Sequence, residues 1–114
     1  MALTMLTAMS LAGCDSEPAA PKSDAELHLT ELQARGRRLF DQSCAQCHRA
    51  YSPEAQNGPS LQGVFKKQTL PSGTPANDDR VRENILLGRA KMPGFRNLFS
   101  DEQVDDLIAY LHTL

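Results

Sequence analysis

The sequence predicts an all-α domain, and three observations carry that reading. Two capping boxes, Thr30 with Gln33 and Ser100 with Gln103, each open a segment whose apolar residues recur at helical spacing. A further segment of the same kind stops at a glycine, Gly88. No stretch alternates apolar and polar residues as a half-buried strand does, and no unit repeats along the chain.

The first helix follows Thr30 and carries Leu32, Gly36, Leu39 and Phe40. Gly in a helix interior costs about 1 kcal/mol relative to Ala, so Gly36 predicts a close crossing by another helix. The middle helix is predicted from Asp79 to Leu87, with Val81 and Ile85 on its apolar side and Gly88 as its stop. The last follows Ser100. Asp101 and Glu102 suit its first turn, where the helix dipole favours acids, and Val104, Leu107, Ile108 and Leu111 form its stripe. Turn-rich stretches lie between, notably Asn57-Gly58-Pro59 and Leu70–Asn77.

The chain has 114 residues, room for one modest domain. A core that small buries a low fraction of its surface and usually relies on disulfides, a metal or a large apolar cofactor. The net charge of −2, with both signs interspersed, argues against a nucleic-acid partner. Arg35, Arg37, Arg38, Lys66, Lys67 and Lys91 read better as a solvated mixed-charge surface than as a docking patch.

Met1–Ala12 is small, apolar and uncharged, too short to span a bilayer, and leads into Leu11-Ala12-Gly13-Cys14. That tetrapeptide resembles the lipobox of bacterial lipoproteins, in which the cysteine is acylated and becomes the new N-terminus. The segment departs from a usual signal in having no Lys or Arg ahead of its apolar run. An ordinary export signal with an incidental cysteine is the alternative. Residues 15–29, rich in Ser, Pro, Ala and charge, read as a flexible tether of about 20 Å root-mean-square span. The domain is placed at residues 30–114, and residues 1–14 are the signal segment.

The strongest chemical signal is Cys44-Ala45-Gln46-Cys47-His48, the spacing of a c-type haem attachment site. Two thiols one helical turn apart can each add to a haem vinyl group, and the imidazole that follows is thereby held beneath the iron. Two other chemistries use paired cysteines. A redox dithiol wants a βαβ context, which the pattern lacks. A structural zinc site needs a second ligand pair, and only His28, His112 and the terminal Cys14 remain.

Around this motif the chain resembles the class I cytochrome c family, over about Leu29–Leu114. The resemblance rests on Gly36-Arg37-Arg38-Leu39-Phe40 as the first helix, Cys44–His48 as the attachment site, Gly58-Pro59-Ser60-Leu61-Gln62-Gly63-Val64 as the loop after it, and Lys91-Met92-Pro93-Gly94-Phe95 as the distal loop. It implies a class I fold of three to five helices around one haem c, bound covalently through Cys44 and Cys47. His48 and Met92 would be the axial ligands, the Pro59 carbonyl would orient His48, and Leu61 would stand at the cofactor. It also implies that the first and last helices cross at Gly36 and Phe40, against Leu107, Tyr110 and Leu111. Met92 has a separate argument in its favour: beyond the signal segment it is the only methionine, and it sits before Pro93 on a loop. A thioether ligand raises the reduction potential and closes the iron to other ligands. The expected activity is single-electron transfer, not catalysis, between redox proteins such as a dehydrogenase, an oxidase or a respiratory complex. The expected place is the periplasmic side of a bacterial membrane, with Cys14 as the lipid anchor. A fixed haem subunit of a larger oxidoreductase and, more remotely, a ligand-binding haem sensor are the alternatives.

Overall fold

Thr30 and Ser100 cap their helices as their spacing predicts. In the computed structural model, which describes residues 22–114, the Thr30 hydroxyl accepts from the Gln33 N–H at 3.3 Å. The Gln33 side chain in turn accepts from the Thr30 N–H at 2.9 Å. Helix α1 then runs Glu31–Ser43. The same reciprocal pair between Ser100 and Gln103 opens the last helix, Asp101–Leu111, which is α3. Helix α2, Asp78–Leu87, starts one residue earlier than the pattern predicts, because the Asn77 side chain caps it by accepting from the Arg80 N–H at 3.0 Å. It stops at Gly88, whose φ of 74° suits a residue without Cβ. Val64–Lys66 adds one 3-10 turn. Among the described residues there is no strand, only isolated bridges at Thr69–Pro75 and Arg89–Met92. The fold is all-α.

The crossing of α1 on α3 is built around Gly36. A Cβ there would overlap the Asp106 carbonyl and lie 2.9 Å from Tyr110 Cβ. One turn on, the Phe40 and Tyr110 rings meet with centroids 5.5 Å apart. Beside the contact, Arg35 forks onto the buried Asp106 carboxylate, donating from Nε at 2.7 Å and from Nη2 at 3.0 Å. A buried carboxylate needs such a partner, and the bidentate geometry also fixes the register of the two helices. Val104, Leu107 and Tyr110 of α3 are the most deeply buried side chains. Val81 and Ile85 of α2, with Val64, Leu70 and Phe95 from the loops, close the core around them.

Residues 22–29, assigned to the tether by their composition, fold as a turn against α1. The Glu26 carboxylate accepts from the Ser23 N–H at 2.7 Å and the Ser23 hydroxyl at 2.8 Å. Those bonds hold Glu26 below the usual carboxylate range. Arg37 donates to the Asp24 carboxylate at 2.8 Å and to the Lys22 carbonyl at 2.6 Å, and Leu29 packs on the core. Polar composition conceals this turn because hydrogen bonds, rather than apolar side chains, hold it. It also means that Arg35 and Arg37 serve the fold and are not part of a free basic surface. The signal segment, Cys14 and residues 15–21 lie outside the described residues. No helix among the described residues is long and apolar enough to cross a membrane.

Candidate functional site

The attachment motif begins where α1 ends. Cys44 is the C-cap, its N–H donating to the Phe40 carbonyl at 2.8 Å. The chain then makes one further turn, with the Cys47 and His48 N–H groups both donating to the Cys44 carbonyl, at 3.0 and 2.9 Å. Positions three apart in such a turn share a face. Cys44 is half-buried, Cys47 is exposed, and both are free thiols.

The segment that follows folds back along this turn. Gly58 N–H donates to the Cys47 carbonyl and Leu61 N–H to the Arg49 carbonyl, each at 2.8 Å. This return lays Pro59 against His48, whose Nδ1 lies 2.7 Å from the Pro59 carbonyl oxygen. A carbonyl only accepts, so Nδ1 carries the proton and Nε2 is left with its lone pair for a metal. Gly58 makes room for the ring: a Cβ there would stand 2.7 Å from His48 Cε1 and 3.0 Å from Nδ1. A residue with any side chain would push the imidazole aside. The motif thus presents two free thiols and one imidazole with a fixed tautomer and a cradled ring, the donor set that haem c requires.

The alternatives fare worse. Burial, reinforced by Cys47, pushes the Cys44 thiol up to about 11, whereas the attacking cysteine of a redox dithiol has a lowered pKa. Among the described residues, no three His, Cys, Asp or Glu side chains converge as a structural zinc site would need. His112 is occupied elsewhere, stacked on Phe65 at 3.8 Å with its Nε2 2.7 Å from Asp78.

Met92 is held on a tight turn beyond α2. Arg89 and Met92 exchange backbone hydrogen bonds of 3.1 and 2.9 Å, while Phe95 and Arg96 donate to the Ile85 and Leu86 carbonyls at 2.9 and 3.1 Å. The turn can lie so close to α2 because Gly88 and Gly94 lack side chains; a Cβ on Gly94 would meet the Leu86 carbonyl oxygen at 2.7 Å. Met92, Leu61, Phe65 and Leu86 all pack against the core yet stay half-buried. Apolar side chains covered on one side only suit a large flat apolar group. Cys44, Cys47, His48 and Pro59 are thus joined by hydrogen bonds, Leu61 is bonded to Arg49 beside them, and Met92 packs on the same core as Leu61. Sequence reasoning took Gly58 for a turn residue and missed its contact with His48. The available signal was its place before Pro59: proline pushes its predecessor into extended backbone, which any residue can adopt, so glycine there needs another reason.

Residues 31–111 match the family described as cytochrome c oxidase, cbb3-type, subunit III. The chain belongs to this cytochrome c family. It is similar to cytochrome c6 of Synechococcus elongatus, 28% identical over 78 residues, which is 68% of this chain and 85% of that protein. Cytochrome c of Chlamydomonas reinhardtii is 34% identical over 98 residues, again 68% of this chain and 85% of that protein. A nicotinate dehydrogenase subunit of Pseudomonas putida is 32% identical over 102 residues, which cover 82% of this chain but 8% of that protein. The chain is therefore a monohaem c-type cytochrome of the all-α class I kind, a small electron carrier that holds haem c covalently through Cys44 and Cys47.

Proposed function

We propose that this cytochrome carries single electrons between redox proteins at the periplasmic side of a bacterial membrane, with the iron held between His48 and Met92. The observation that carries the reading is the 2.7 Å contact between His48 Nδ1 and the Pro59 carbonyl over the bare backbone of Gly58. Bound haem supplies a one-electron couple whose potential follows its axial ligands and their surroundings. The chain's part is to hold, tune and cover. Pro59 fixes the imidazole and, by accepting its proton, makes Nε2 a better electron donor. Met92 offers a soft sulfur from a turn pinned to α2, and that pinning favours one ligand set in both oxidation states. Leu61, half-buried on the loop that carries Pro59, would cover part of a bound haem. Were His48 and Met92 both to hold the iron, no place would be left there for a substrate, which supports a carrier over an enzyme.

The lipobox resemblance at Cys14 supports anchoring at the membrane surface. A second reading has support of its own. The matched family is described as an oxidase subunit, and a small part of a dehydrogenase subunit is similar to most of this chain. In that reading the same domain is a fixed haem subunit of a larger oxidoreductase.

The test is carbon monoxide binding to the ferrous protein. Wild type should bind it slowly and poorly, because the gas must displace Met92, whereas Met92→Ala should bind it rapidly. Equally rapid binding by both would show an open iron and point to ligand binding instead.

A further inference from the structure

We propose that Ser60 is a positioning residue that aims the Pro59 carbonyl at His48 and so helps to set the reduction potential of the haem. The proposal rests on the electron-carrier reading, with His48 as an iron ligand, and adds a residue that acts on that ligand through another.

The oxygen that faces His48 Nδ1 belongs to the peptide unit joining Pro59 to Ser60. A peptide unit is planar, so its oxygen points where the Ser60 nitrogen and Cα place the plane. The proline ring fixes φ of Pro59 but not ψ, the rotation that turns this plane. Pro59 therefore does not aim its carbonyl by itself. The Gly58 N–H is tied to the Cys47 carbonyl at 2.8 Å, and the Gly58 carbonyl accepts from the Gln56 N–H at 3.0 Å. Gln56 Nε2 also donates to the Gln46 carbonyl at 3.1 Å, from an exposed position. All three bonds lie upstream of the rotation and leave it open.

What closes it lies downstream. The Leu61 N–H donates to the Arg49 carbonyl at 2.8 Å, and the Ser60 hydroxyl donates to the Ser52 carbonyl. The same hydroxyl accepts from the Gln62 N–H at 3.1 Å, the local side-chain turn that serine favours. Ser60 is half-buried and bonds both across the fold and along the chain. Without the hydroxyl, the Ser52 carbonyl loses a donor and the Gln62 N–H an acceptor. The Leu61 bond alone is then left to hold the plane. The carbonyl swings more widely, its bond to Nδ1–H weakens on average, and the imidazole gives less electron density to the iron. Ferrous iron is favoured as a result.

The test is made on holoprotein, by proton resonance of the ferrous form and by potentiometry. In Ser60→Ala the His48 Nδ1 proton should exchange with solvent about fivefold faster than in wild type, as the loss of one hydrogen bond implies, and the midpoint potential should rise. Ser60→Thr keeps the hydroxyl and should return both toward wild type. Thr30→Ala uncaps α1 at the end opposite Cys44 and should lower thermal stability while leaving exchange and potential unchanged. That control separates aiming from folding. Either a wild-type exchange rate or a wild-type potential in Ser60→Ala would overturn the proposal. So would equal changes in the Ala and Thr variants, or a shift of the same size in Thr30→Ala. The Met92 methyl resonance of the same ferrous samples keeps the two claims apart. A wild type without the upfield shift that the haem ring current gives a ligated methionine, but with the Ser60 effects intact, counts against Met92 ligation and leaves Ser60 in its role. An upfield methyl with no Ser60 effect removes Ser60 alone.

Discussion

The α1–α3 crossing and the loops that follow Cys44 and Gly88 are built on different terms. At the crossing, protein atoms meet protein atoms. Gly36 admits the Asp106 backbone, Phe40 packs on Tyr110, and Arg35 answers the buried Asp106 charge. In the loops, backbone groups bond mainly to other loops or to the end of α2, as Gly58 does to Cys47 and Phe95 to Ile85. Their apolar side chains Leu61 and Met92 pack on the core yet stay half-buried. One half of the molecule closes on itself, and the other is shaped to close on a cofactor. Changes in the first half should therefore show in stability and leave the haem spectrum alone. Changes in the second should show in the spectrum or potential.

The largest effect should come from removing the cofactor's attachment. With Cys44→Ala and Cys47→Ala together, denatured protein should carry no haem mass and the loops should lose their fixed structure. A domain this small cannot replace the lost core, and near-ultraviolet circular dichroism should show an apoprotein that is largely unfolded. A native-like spectrum from that variant would mean that the loops close without the cofactor.

Gly36→Val strikes the other half. Overpacking a helix crossing costs about 1–3 kcal/mol, and this one meets backbone, which cannot turn away as a side chain can. Thermal unfolding should move down while the haem absorption of the folded protein stays unchanged. Unaltered stability would refute the crossing.

A smaller loss should follow from Tyr110→Phe, which deletes the 2.8 Å bond to the Tyr51 hydroxyl. A hydrogen bond of this kind is worth about 1 kcal/mol. Burial, and then that bond, push the Tyr110 phenol far above its ordinary value. A raised folded-state pKa contributes stability that is full below the unfolded tyrosine pKa and is lost as pH rises above it. Wild type should thus weaken in alkali above about pH 10, and Tyr110→Phe should weaken less steeply over the same range. Parallel alkaline unfolding curves would argue that Tyr110 is not the group concerned.

Gly58→Ala should leave stability nearly intact and change the electron chemistry. Its new methyl presses on the His48 ring and loosens the bond to Pro59. A less electron-donating imidazole favours ferrous iron, so the midpoint potential should rise. A potential equal to wild type would show that the ring accommodates the methyl without losing its partner.

The two halves also differ in how far they could be read in advance. Helix starts and crossings follow local rules, so Thr30, Ser100, Gly88 and Gly36 announced their roles through spacing and residue type. So did Cys44 and Cys47, since two thioether bonds to one haem demand that interval. What stayed hidden depends on partners distant in sequence. Arg37 looked like surface until Asp24 and Lys22 came beside it. Gly58 was hidden for the same reason, since its purpose is a ring ten residues earlier in the chain.

The claim that the loop half closes on an iron held by His48 and Met92 is most directly tested by the near-infrared absorption of the ferric wild-type protein, recorded beside Met92→Ala. The account predicts the weak sulfur-to-iron charge-transfer band in wild type and its loss in the variant, together with a fall in reduction potential. That fall follows because the thioether favours ferrous iron more than water or a harder replacement does. A wild-type ferric spectrum that is high-spin and lacks the band would contradict the ligation, and the function would then have to be sought at an open haem.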